Sequence, residues 1–130
     1  MRNTQSDDAR VSQMPAFVKD GIFSREQAGQ VAEYVLSLSG NATNQAAAAE
    51  GKQMFEDNCV ACHGEGGVGM TELGAPPLNN NIWLYGGEKE TIVESISNSR
   101  GGVMPAWGKI LDAPTVKQLT IYVHSLGGGQ

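Results

Sequence analysis

The sequence predicts an all-α fold. Four segments place apolar residues at helical spacing, cap residues mark the starts of two of them, and no stretch alternates apolar and polar residues as a half-buried strand would. The first helix is expected from about Ser24 to Leu38: Ser24 and Gln27 form a capping-box pair, Ala28, Val31, Val35 and Leu38 make an apolar stripe, and Gly40 stops the run. A polar, alanine-rich linker from Asn41 to Ala49 leads into a second helix, about Ala47 to Val60, which delivers Cys59. Glycines between Gly64 and Gly74 make a loop of the next stretch. A third helix is expected from about Lys89 to Ser99 with Ile92, Val93 and Ile96 inward. The fourth runs from about Ala113 to Leu126, with Asp112 as N-cap, Pro114 tolerated in the first turn, and a stripe of Val116, Leu119, Tyr122, Val123 and Leu126.

Chemistry concentrates in Cys59-Val60-Ala61-Cys62-His63, a C-x-x-C-H motif that holds both cysteines of the chain. Two thiols at this spacing can each form a thioether to one haem, and the adjacent histidine is placed to ligate the iron. A redox dithiol of the thioredoxin type would need a strand–helix setting, which the helical pattern does not supply. A zinc site would need four ligands, and the only other histidine, His124, lies far along the chain. The second axial ligand is expected from Met104, 41 positions after His63 in Arg100-Gly101-Gly102-Val103-Met104-Pro105-Ala106-Trp107. Glycines let that backbone turn close to a ring, and Pro105 holds Met104 extended. His/Met ligation closes the iron's coordination and raises its potential, which suits electron transfer.

Composition agrees with one haem domain plus an appendage. Over 130 residues, 40% are apolar and only 6% aromatic, a thin core that a covalently held macrocycle would fill. A net charge of −5 and a pI near 4.9 argue against nucleic acid as a partner. The first 48 residues hold four basic and five acidic groups, and the remainder five basic and nine acidic, so the C-x-x-C-H portion is the acidic one. No stretch reads as a membrane span, and the polar N-terminus carries no apolar signal region. Covalent haem attachment implies an exported protein, so the chain is expected to be a fragment of a longer one.

An internal repeat supports that expectation. Arg10-Val11-Ser12-Gln13-Met14-Pro15-Ala16-Phe17 matches Arg100 to Trp107, and Gln30-Val31-Ala32-Glu33-Tyr34-Val35-Leu36-Ser37-Leu38 matches Gln118-Leu119-Thr120-Ile121-Tyr122-Val123-His124-Ser125-Leu126. Only the second copy follows a C-x-x-C-H. Residues 1–44 are therefore expected to be the C-terminal remnant of an upstream domain plus a linker, and residues 45–130 a domain with one haem. On this reading Met14 has no haem of its own. The helix at 24–38 could pack on the intact domain, pair with a second copy to form a dimer, or be poorly ordered.

Residues 48–126 resemble the class I cytochrome c fold: a helix with Gly51 and Phe55, C-x-x-C-H, a Pro-x-Leu, a methionine loop and a final helix with an aromatic. The resemblance implies that Gly51 and Phe55 pack against Tyr122, and that the Pro76 carbonyl accepts the proton on the other nitrogen of His63. Gly74-Ala75-Pro76, Asn81-Ile82-Trp83-Leu84-Tyr85-Gly86-Gly87 and Gly102 to Trp107 further resemble the C-terminal part of the dihaem cytochrome c subunit, subunit III, of cbb3-type cytochrome oxidases. That resemblance implies a periplasmic domain whose parent is anchored in the inner membrane. It also implies two partners, an electron-donor cytochrome and the oxidase's catalytic subunit. Trp83 and Tyr85 suit either hydrogen bonds to a haem propionate or packing around the ring, and Arg100 suits either a propionate or solvent. The function implied is one-electron relay in aerobic respiration through a haem c, without catalysis of its own. The alternative is a gas-binding sensor in which carbon monoxide or nitric oxide displaces Met104.

Overall fold

A computed structural model describes residues 13–101 and 105–127, which fall into two compact units, 13–101 and 105–127. In the larger unit, helix α1 (Arg25–Ser37) begins at the predicted cap. The Ser24 hydroxyl accepts the Gln27 N–H at 3.1 Å, and the Gln27 side chain accepts the Ser24 N–H at 2.8 Å. Helix α2 (Gln45–Asn58) starts at Asn44, whose side chain accepts the Ala47 N–H. The second predicted helix breaks at Cys59, and a single turn, α3 (Val60–His63), carries the rest of the motif. Two short 3-10 turns, Glu65–Gly67 and Thr71–Leu73, occupy the glycine-rich loop before α4 (Lys89–Asn98). No strand occurs among the described residues; Met70 and Ala75 form an isolated bridge. The fold is all-α, as the periodicity predicts.

The core of this unit is built on α1. Ala28, Val31, Ala32, Val35 and Leu36 are buried against Phe55 of α2 and Ile92, Val93 and Ile96 of α4, with Phe17 and Phe23 stacked at 4.8 Å beside them. Gly51 makes the α1–α2 crossing possible: a Cβ there would collide with the Gln30 carbonyl and stand 2.8 Å from the Val31 nitrogen. One turn further along, Phe55, only 1% exposed, meets the ring of Tyr34 at 5.1 Å in a tilted contact. In the internal repeat Tyr34 aligns with Tyr122, the aromatic to which the resemblance assigns a contact with Phe55. Of the three outcomes open to the 24–38 helix, packing within its own chain is the one found. That packing covers the apolar stripe a dimer would have used.

Glu33 stands in the middle of the buried face of α1 and is itself fully buried. Its carboxylate accepts the Lys89 ammonium at 2.8 Å, the N–H groups of Thr43 and Asn44 at 2.9 and 3.0 Å, and the Thr43 hydroxyl at 2.7 Å. One carboxylate thus joins α1 to the N-terminus of α2 and to the first turn of α4. Burial works to raise its pKa, but the Lys89 bond and the three bonds from Thr43 and Asn44 outweigh it and draw the group from 4.5 down to about 2.

The second unit holds a 3-10 turn at Trp107–Lys109 and helix α5 (Ala113–Ser125). Asp112 caps α5 as predicted, accepting the Thr115 N–H at 2.8 Å, with Pro114 in the first turn. The hydrogen bonds with Thr115 lower the Asp112 pKa. None of the residues of α5 is buried, including those of its predicted stripe. No helix among the described residues is long and apolar enough to cross a membrane.

Candidate haem-attachment site

The C-x-x-C-H motif folds as one tight helical turn. The Cys59 carbonyl accepts the N–H groups of Cys62 at 3.1 Å and of His63 at 2.8 Å, which brings the two thiols, three residues apart, to one side. Both are free; Cys59 is buried and Cys62 exposed. Burial, helped by the neighbouring Cys62, pushes the Cys59 thiol up to about 11. A redox-active dithiol needs a thiol pKa lowered well below the ordinary value, so this environment disfavours that reading.

Past His63 the chain turns back on itself and returns a proline to the imidazole. Gly64, at φ +74°, ends α3. The Gly69 N–H then donates to the His63 carbonyl at 2.7 Å, Met70 and Ala75 exchange backbone bonds of 3.0 and 3.1 Å, and the Leu78 N–H donates to the Gly67 carbonyl at 2.7 Å. Gly69 sits at the closure with φ +83°, and a Cβ there would lie 2.6 Å from the Pro77 nitrogen. The Pro76 carbonyl oxygen arrives 3.0 Å from His63 Nδ1. A carbonyl can only accept, so Nδ1 carries the proton and Nε2 presents its lone pair outward.

The remaining predicted residues are placed as follows. Trp83 is half-buried, packs against the core cluster and lies on Gly87, where a Cβ would come within 2.5 Å of the indole. It also lines a surface cavity of about 470 Å³ with Leu36, Asn41, Thr43 and Lys89, to which none of the motif residues contributes. Arg100 holds its guanidinium 4.9 Å from the centre of the Tyr85 ring, a cation–π contact that pairs two residues the sequence offered separately. Met104 lies outside the described residues. Sequence reasoning missed the roles of Glu33 and Tyr34. The signal for both was the repeat itself, in which Tyr34 aligns with Tyr122 and Glu33 departs from Ile121.

These residues fit a covalently attached haem. Two thiols share a helical turn, an imidazole has its outward nitrogen free, and the nearby loops expose apolar side chains, Val68 at 61%, Ile82 at 84% and Leu84 at 86%. An all-helical unit with this histidine–proline pairing defines a cytochrome c domain. Residues 46–123 match the family described as cytochrome c oxidase, cbb3-type, subunit III. The chain is 57% identical over 122 residues to the cbb3-type cytochrome c oxidase subunit CcoP of Azospirillum brasilense, covering 90% of this chain and 41% of that protein. It is 48% identical over 130 residues to CcoP of Cereibacter sphaeroides, covering 100% of this chain and 45% of that one. With subunit FixP of Bradyrhizobium diazoefficiens it shares 52% identity over 119 residues, 91% of this chain and 41% of the relative. The chain belongs to the subunit III family of cbb3-type cytochrome c oxidases and spans less than half the length of these relatives.

Proposed function

We propose that the chain carries one haem c, attached through Cys59 and Cys62, and relays single electrons to the catalytic subunit of a cbb3-type oxidase in aerobic respiration. The observation that carries this reading is the hydrogen bond between His63 Nδ1 and the Pro76 carbonyl, which leaves the Nε2 lone pair available to a haem iron. When bound, the haem supplies an iron that changes by one electron without a change of ligands. His63 and a methionine thioether, which the resemblance assigns to Met104, would supply the protein ligands of that iron. The Pro76 carbonyl keeps the imidazole oriented and electron-rich. Trp83, Tyr85 and Arg100 belong to the pocket wall and rim. The relatives' names place them in the oxidase, which supports a periplasmic location for this domain within an anchored parent and an electron-donor cytochrome as its other partner. On this reading residues 45–130 are the haem domain, and residues 1–44 correspond to the C-terminal part of an upstream cytochrome c domain plus linker.

Mass spectrometry and spectra of the protein made with a cytochrome c maturation system test the reading. The expected result is one haem retained after denaturation, lost in Cys59→Ala/Cys62→Ala, and a ferrous spectrum unchanged by carbon monoxide. Rapid binding of carbon monoxide would instead indicate an open or labile iron position and contradict a carrier.

A further inference from the structure

The loop that carries Trp83 and Tyr85 has no backbone scaffold of its own. From Asn79 to Gly87 no backbone group bonds another backbone group among the described residues. The last such bond before it runs from the Leu78 N–H to the Gly67 carbonyl, and the next are those of the Thr91 and Ile92 N–H groups to the Glu88 carbonyl. Inside the loop only the Asn80 side chain contributes, accepting the Ile82 N–H at 2.9 Å. Ile82 and Leu84 are exposed, so packing is left to Trp83, which lies against the core cluster. A segment with so few bonds of its own keeps one position only where side chains from elsewhere tie it down.

Two ties bracket the loop, one from α1 and one from the linker behind it. At one end the Asn41 side-chain amide donates to Asn81 Oδ1 at 2.8 Å, across 40 positions of sequence. At the other, Lys89 reaches Glu33. Asn41 is itself fixed to the end of α1. Its N–H donates to the Leu36 carbonyl at 2.8 Å, and its amide donates also to Ser39 Oγ at 3.0 Å. Between the ties, Trp83 shares a cavity wall with Leu36, Asn41 and Asn81. The same end of α1 meets the loop that follows C-x-x-C-H, where a Cβ at Gly67 would stand 2.8 Å from Leu38 Cδ1. The two ties differ in kind. Glu33 joins α1, α2 and α4 from a buried position, so the fold does not need the Asn41 bond; what that exposed, uncharged bond fixes is the far end of the loop.

We infer that Asn41 is a positioning residue of the haem site: through Asn81 it holds the 81–87 loop, with Trp83 and Tyr85, in place as a pocket wall that keeps water from the haem and its reduction potential high. This rests on the haem reading above. The test uses the full chain with haem attached, in Asn41→Ala, Asn81→Ala, the double variant and Asn81→Asp. Two quantities are read, the backbone order parameters from Ile82 to Gly87 in the ferrous protein and the reduction potential. Order parameters of about 0.85 are expected in the unsubstituted protein, falling below about 0.6 in each alanine variant. Each alanine variant is expected to lower the potential, and the double variant to lower it no further than either single one, because both remove the same bond. Asn81→Asp keeps an acceptor for the Asn41 amide and is expected to keep the loop ordered. Additive shifts in the double variant would overturn the inference. So would a loop that loosens while the potential stays, one that stays ordered in both alanine variants, or one that Asn81→Asp loosens as alanine does. A chain that takes up no haem would remove the haem reading itself, and the inference with it.

Discussion

Helices α1 and α5 are two copies of one pattern, with a side-chain cap at the start, a tyrosine at the same register and matched apolar positions, yet their burial is opposite. α1 buries six residues, Ala28, Val31, Ala32, Glu33, Val35 and Leu36, while α5 buries none. The difference teaches that apolar periodicity makes a helix but does not seat it. Seating depends on features that periodicity ignores: alanines where two backbones cross, a glycine on the partner, and one carboxylate aimed at donors that would otherwise be buried without partners.

The comparison breaks most directly at Gly51. Gly51→Val places a branched side chain against the Gln30 carbonyl and Val31 nitrogen, and the seat must open; we expect a loss of about 3 kcal/mol in chemical denaturation. A change under 0.5 kcal/mol would mean α1 does not cross there. Next in size is Glu33→Gln, which removes the charge facing Lys89 and leaves an amide where three donors are held, with an expected cost of about 2 kcal/mol.

The same group sets an acid dependence. Its folded pKa, about 2, lies below its ordinary 4.5, so its contribution is complete above about pH 4.5 and is lost as pH falls through 2. The melting temperature should therefore fall across that window in the native protein and fall less steeply in Glu33→Gln; parallel curves would contradict the assignment. The smallest effect separates the two caps. Ser24→Ala should cost about 1 kcal/mol in the main transition, and Asp112→Ala should leave that transition in place.

Much of this was legible in the sequence because it is local. The Ser24 and Asp112 caps and the α4 stripe each depend on residues a few positions apart, and each is found as read. The break between α2 and α3 at Cys59 carries no local signal, since Asn58, Cys59 and Val60 are all compatible with a continuing helix. The position of α1 is tertiary, set by contacts with residues far along the chain. It was decided by Glu33 and by Ala28 and Ala32, residues whose value shows only when Lys89, Thr43 and Gly51 are brought beside them. The pairing of Arg100 with Tyr85, 15 positions apart, is non-local in the same way.

The central claim about the larger unit is that α1 packs on Gly51 and Phe55 of α2. Nuclear Overhauser contacts between the Phe55 ring and assigned tyrosine rings in the ferrous holoprotein test it with one cross-peak pattern. The account predicts contacts from Phe55 to Tyr34; contacts from Phe55 to Tyr122 in their place would contradict it.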